Sequence, residues 1–210
     1  TYSIYRNKLN SPLATNKDYW RETVEKNIFV LCKTKMAKKI TQRTLVGFKD
    51  YKANIHVEED IINKLKNKNE QLISELSNAI TWNMNDKTME GKMKFDAIVG
   101  NPPYQENIDN RGEQPPVYHL FYNVAFLLSN RVTLITPGRF LFDVGKTPSK
   151  WNQKMLNDEH FKVIKYFANS KDVFDSVDIK GGVAITYRDK NESFGIIGNF
   201  VQIDIVKEIL

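Results

Sequence analysis

Cysteine is nearly absent from this chain: Cys32 is the single one among 210 residues. An internal disulfide is thereby excluded, and a cytoplasmic location in a reducing compartment is expected. Histidine is scarce as well. His56, His119 and His160 lie far apart, with no His and Cys cluster at zinc spacing, so no structural metal is expected. No run approaches the roughly 18 apolar residues of a membrane span. The segment Thr1–Arg6 lacks the apolar core of a secretory signal, so no membrane partner is expected. Glycine is thin in the first half: no G-x-G occurs before residue 95, and Gly47 is isolated.

What is present is ordinary for a globular protein, with 41% apolar and 27% charged residues. The length allows one to two domains. The charge is uneven. Residues 1–94 carry 18 Lys and Arg against 11 Asp and Glu, while residues 95–210 carry 13 against 14. A basic part beside a neutral one suits a polyanion partner. Lysines that merely solvate helical faces explain the same numbers, and both readings stay open.

Apolar patterning predicts the elements. Tyr19–Val24 reads as helical and Ile28–Cys32 as a strand. Lys35–Leu45 reads as a helix with Met36, Ala37, Ile40 and Leu45 on one side. Ala53–Val57 alternates as a strand does. Ile61–Ile80 reads as one long helix with Ile62, Leu65, Leu72, Leu76 and Ile80 on its stripe. Residues 81–94 form a polar connector. Then follow a strand at Phe95–Gly100, a long polar loop at 105–116, a helix at Val117–Leu128 and a strand at Val132–Ile135. A helix at Trp151–Leu156 and strands at Val163–Phe167 and Val183–Tyr187 complete the pattern. Alternating strands and helices predict an α/β layer fold with a largely parallel sheet.

The most informative stretch is Asn101-Pro102-Pro103-Tyr104, at the end of the apolar run Phe95–Gly100. Two prolines lack backbone donors and hold φ near −65°, so the chain leaves the strand in a stiff extended loop. Strand ends that feed such loops are where open α/β sheets place ligands. The groups suit a flat heterocycle with an exocyclic amine. The lone pair of such an amine is delocalised into its ring. The amine becomes nucleophilic when acceptors hold both N–H groups and favour a tetrahedral nitrogen. The Asn101 side-chain oxygen and the Pro102 carbonyl are two such acceptors, and Tyr104 can stack on the ring face. The chemistry needs no strong base, but it needs an electrophile carried by a cofactor. A proline-stiffened turn capped by Asn is the plainer reading of the four residues alone.

The stretch KFDAIVGNPPYQ resembles motif IV of the S-adenosylmethionine-dependent N6-adenine DNA methyltransferases, most of all the Eco57I-like methylases of restriction–modification systems. YHLFYNVAFLL, VTLITPGRFLF, KMLNDEHFKVIKYF and DVFDSVDIKGGVAITYRDK follow in the family's order, so the resemblance covers residues 94–190. It implies an α/β fold: a Rossmann-like methyltransferase sheet with flanking helices. Residues 1–94 would be a basic N-terminal part of that core with a long helix, and residues 95–210 its catalytic half. It implies S-adenosylmethionine as cofactor and double-stranded DNA with a flipped adenine as partner. Asn101, Pro102, Pro103 and Tyr104 would be the catalytic loop, with Phe174 packing against the other side or the edge of the base. Phe121 would touch the cofactor's adenine, and Asp60 would be the acid near it. Flipping explains the two aromatics, which replace the stacking lost on extrusion. Core packing is the alternative for Phe121 and Phe174. Gly181-Gly182 would mark a close backbone approach or a bulge. Arg139, Lys146 and Lys150 would meet DNA phosphates or simply solvate a loop.

The chain departs from the family pattern at its cofactor loop, and Cys32 or Lys33 stands where an acid often binds the cofactor ribose. The expectation is therefore a methylase core cut at both ends, with a target-recognition or nuclease domain outside this chain. The competing expectation is a non-catalytic DNA-docking or assembly module that keeps the fold.

Overall fold

The structure is a computed structural model that describes residues 18–82, 92–106, 114–175 and 178–201. It divides into two compact units, Thr1–Met93 and Lys94–Leu210. The first is built on a two-stranded parallel sheet, β1 (Phe29–Cys32) beside β2 (Asn54–Val57), with Phe29 level with Asn54. Helix α1 (Tyr19–Asn27) starts where Asp18 accepts from the Arg21 amide at 3.0 Å. Helix α2 (Lys35–Val46) is the crossover that makes the strands parallel. It opens on Thr34, which accepts from the Ala37 amide at 3.1 Å, and closes on Gly47 at φ +60°. Val24, Val46 and Tyr51 form one core cluster, with Trp20, Ile28, Leu45 and Ala53 against it. Asn54 is buried and satisfied: its amide donates to the carbonyls of Glu25 at 2.8 Å and Ile28 at 3.1 Å, tying β2 to the end of α1.

The long helix expected over Ile61–Ile80 is instead α3 (Ile61–Asn67) and α4 (Asn69–Leu76), followed by a 3-10 turn at Ala79–Trp82. Lys68 breaks it, at φ −142° and ψ 39°. Asn67 and Asn69 flank the break, and asparagine competes poorly for the helix interior. The apolar stripe was still informative, since Ile62, Leu65, Leu72 and Leu76 are all buried, but Ile80 is exposed. Lys64 pins the bend, with Nζ 2.7 Å from Glu58 Oε2 and 2.6 Å from Glu75 Oε2. The apolar side expected for α2 is also only partly buried: Met36 and Ile40 face solvent.

The second unit holds a four-stranded sheet in the order β3 (Ile98–Gly100), β4 (Arg131–Pro137), β6 (Val183–Asp189), β5 (Phe161–Phe167). β3, β4 and β5 run in the same direction, with β3 and β4 paired and joined by the crossover helix α5 (Tyr118–Leu128); β6, between β4 and β5, is antiparallel to both. The expected parallel direction thus holds for three strands, and β6 departs from it. A parallel return needs a crossover that brings the chain back to the starting end. Among its described residues the 168–182 connection holds a 3-10 turn at Ser170–Asp172 and no α-helix, and β6 runs back beside β5. The strand expected at 95–100 is shorter, with Phe95 in an isolated bridge to Ser129. Helix α6 (Ser149–Leu156) and α5 supply the core over the sheet. At its centre Tyr122, Phe140 and Phe161 are almost wholly buried. Tyr122 bonds Thr136 at 3.0 Å and Thr186 at 2.6 Å, and burial pushes its hydroxyl pKa up. Among the described residues no helix is long and apolar enough to cross a membrane.

Candidate functional site

The site is built where β3 ends. Gly100 lies level with Leu134 of β4, so both parallel strands present their C-terminal ends on the same side. Asn101 follows and is exposed, while Pro102, Pro103 and Tyr104 are half-buried. Among the described residues, none bonds the Asn101 side chain and none donates to the Pro102 carbonyl. Two acceptors thus stand side by side and unused on a backbone that prolines hold stiff.

The loop is anchored beyond these residues. The Val117 amide donates to the Tyr104 carbonyl at 3.0 Å, Gln105 bridges Pro116, and the Glu106 amide donates to the Pro115 carbonyl at 3.1 Å. The ends of the 105–116 loop are therefore paired with each other, at the start of α5. Residues 107–113 of that loop lie outside the described residues, as do 83–91 of the 81–94 connector.

The Tyr104 ring meets Phe174 edge-on, with centroids 6.4 Å apart and planes at 66°. Two residues 70 positions apart are thus brought into one aromatic pair. Phe174 is placed by the turn after β5, where its amide donates to the Ser170 carbonyl at 2.9 Å. The Tyr104 hydroxyl is buried without a hydrogen-bond partner among the described residues, and burial pushes its pKa up to about 12. It stays neutral at ordinary pH, a donor with nothing to donate to.

Phe121 lies one turn along α5 from the anchor at Val117 and is half-buried. Asp60 belongs to the other unit, at the N-cap of α3. Its carboxylate caps no backbone amide there; it accepts from the Asn63 side chain at 2.9 Å and is exposed. Gly181 and Gly182 have φ of +82° and +67°, which only glycine adopts at little cost. A Cβ on Gly182 would collide with the Phe167 carbonyl, so the glycine pair marks close approach of protein to protein.

Sequence reasoning missed two features. His119 on α5 is half-buried, with Nδ1 buried and unbonded among the described residues, and burial lowers its pKa. Its ring meets Trp151 at 5.7 Å, and nothing in the spacing of three distant histidines signals this. The 143–150 loop is also tightly held. Asp143 accepts from Asn152 at 3.0 Å, Gln153 at 2.8 Å and Ser149 at 3.1 Å, bonds that hold its carboxyl below the usual range.

Residues 26–174 match the family profile described as Eco57I restriction-modification methylase. This chain belongs to that family. The matched stretch contains Asp60, Asn101–Tyr104 and Phe121, and it ends on Phe174. The chain is also similar to an "Uncharacterized adenine-specific methylase" of Mycoplasma pneumoniae. The two are 29% identical over 136 residues, 59% of this chain and 32% of that protein. The chain thus spans about a third of the length of that relative.

Proposed function

We propose that this family member holds an adenine of double-stranded DNA for transfer of a methyl group from S-adenosylmethionine to N6, within a restriction–modification system. We further propose that its strands belong to a Rossmann-like methyltransferase core. The parallel pairs β1–β2 and β3–β4, each with a helical crossover, support that fold. The observation that carries the function is the pairing of two free acceptors, Asn101 Oδ1 and the Pro102 carbonyl, with the Tyr104–Phe174 aromatic contact beside them.

In this reading the Asn101 oxygen and the Pro102 carbonyl each accept one N6–H of the extruded adenine. They draw the nitrogen toward tetrahedral geometry and localise its lone pair. The acceptors give up no bond to a described residue when they take the amine, so no protein hydrogen bond has to break first. Tyr104 stacks on one face of the base, a contact worth about 1–3 kcal/mol. Phe174 covers the other face or the edge. The edge-on contact of the two rings must open for a base to enter between them. After transfer the surplus N6 proton passes to water.

In the second unit Phe121 is the residue that would meet the cofactor, which supplies an electrophilic methyl group. Phe121 offers a half-buried apolar ring.

The test uses this chain with methyl-labelled S-adenosylmethionine and duplex DNA, followed by digestion and mass spectrometry of the nucleosides. Label is expected in N6-methyladenine, and Asn101→Ala should remove it. Label confined to cytosine, or an Asn101→Ala rate equal to that of the unsubstituted chain, would sink the proposal.

A further inference from the structure

Three basic side chains near the loop end of the sheet were equivalent in sequence: Arg139, Lys146 and Lys150. The structure separates them. Arg139 begins the 3-10 turn Arg139–Phe142 directly after β4, at the same sheet end as Asn101. Its aliphatic stem is walled in by glycines. A Cβ on Gly181 would collide with Arg139 Cγ and lie 3.2 Å from Cδ, and one on Gly145 would lie 3.4 Å from Arg139 Cβ. Gly138 before it is packed against the Tyr166 ring, which would sit 2.6 Å from an added Cβ. The Tyr166 hydroxyl donates to the Gly181 carbonyl at 3.2 Å, holding the glycine turn in place.

The guanidinium at the end of this fixed stem is exposed, and no described residue bonds it or pairs with its charge. Other arginines of this unit are engaged: Arg131 with Asp189 at 2.9 Å and Arg188 with Asp158 at 2.7 Å. Two links tie Arg139 to the aromatic pair. The 168–182 connection lays Phe174 against Tyr104 and Gly181 against Arg139. The Arg139 charge is also felt by the hydroxyl of Tyr118, whose neighbour Val117 holds the Tyr104 carbonyl.

We infer that Arg139 is the phosphate clamp of the nucleotide whose base is held by Asn101–Tyr104: its stem is fixed by Gly145 and Gly181, and its unpaired guanidinium faces solvent at the same sheet end. The inference rests on the methylase reading and deepens it. Guanidinium is always charged and presents a planar fork that matches phosphate oxygens. A stem already packed loses little freedom on binding, which is the advantage Arg139 has over a lysine on a free stem.

The test measures anisotropy of a labelled duplex in which one adenine lies opposite an abasic site, so that extrusion costs little. The full chain is titrated across salt concentrations. Each neutralised phosphate contributes about −0.9 to the slope of log K against log salt. Arg139→Gln keeps the Cβ and Cγ that pack on Gly181, and it should make the slope shallower by about 0.9. Arg139→Lys keeps the charge and should keep the slope while binding more weakly. A neutral methylphosphonate beside the unpaired adenine should reproduce the slope loss in the unsubstituted chain and add nothing to Arg139→Gln. An unchanged slope in a folded Arg139→Gln chain overturns the clamp alone. So does a methylphosphonate effect of equal size in both proteins, because Arg139 would then bind elsewhere. Absence of DNA binding by the unsubstituted chain overturns the methylase reading together with the clamp.

Discussion

The two ends of the four-stranded sheet are built on opposite rules. At the end where β4 begins, polar groups are spent on one another. Asp189 is almost fully buried and accepts from Arg131 at 2.9 Å, Tyr187 at 3.1 Å and the Asn191 amide at 3.0 Å. Ser129 both donates to the Arg131 carbonyl and accepts from its amide. At the other end, where β3 and β4 finish, groups are left over. Asn101 and the Pro102 carbonyl hold no protein bonds, Arg139 has no counter-charge and the Tyr104 hydroxyl has no partner among the described residues. Unspent polar groups cost stability where they are buried. Their collection at one end supports the proposal that this is the working end, where open α/β sheets place ligands. The satisfied end closes the sheet.

The sharpest way to break this comparison is to remove one group from the working end. Asn101→Ala should lower methyl transfer by about 10²–10³-fold, the usual loss on removing one preorganised polar contact to a reacting group. The Tm should not move, because Asn101 is exposed and bonds no described residue. A drop in Tm matching the loss of activity would mean that the loop is structural. Gly181→Ala tests the frame around that end. It puts a side chain at φ +82° and forces Arg139 aside, so the chain should lose about 1–3 kcal/mol in denaturant unfolding. An unchanged midpoint would show that neither contact constrains the turn.

The satisfied end should respond to acid. The Asn191 amide first, then the Arg131 guanidinium, hold the Asp189 pKa below its ordinary 3.8. A carboxyl depressed on folding contributes stability that is fully present above its unfolded pKa. That contribution is lost as pH falls through the folded value. The Tm should therefore fall on acidification below about pH 4, and Asp189→Asn, which does not titrate, should show a smaller fall. Equal falls in both proteins would place the acid sensitivity elsewhere.

Much of the fold was legible because the local signals were consistent. β1, β2, α2 and α5 lie within a residue or two of the apolar runs that announced them. In α2, Thr34 and Gly47 cap the ends of the pattern. The break at Lys68 was not legible, because buried residues continue in step on both sides of it and periodicity registers burial, not backbone continuity. The direction of β6 was hidden for a similar reason: a strand's composition does not record which way its neighbour runs. At the site, the Asn101–Tyr104 loop stood out because two prolines and a strand end are local signals. The meeting of Tyr104 with Phe174 depends on a connection 70 residues downstream, and only the family resemblance put the two together beforehand. The isolation of Arg139 depends on what surrounds its charge, which no spacing encodes.

The smallest expected effect is the most discriminating for the Tyr104 side chain. Tyr104→Phe keeps the ring that meets Phe174 and removes only the buried, unpaired hydroxyl. A buried donor without an acceptor costs its desolvation, so the substitution should be neutral or stabilising by up to about 1 kcal/mol in denaturant unfolding. Transfer should change by less than about threefold if stacking is the ring's whole contribution, since the aromatic face is unaltered. A tenfold loss of transfer with stability kept would mean that the hydroxyl finds its acceptor on the bound substrate. The orphaned donor would then belong, with Asn101 and Arg139, to the groups that the working end holds in reserve.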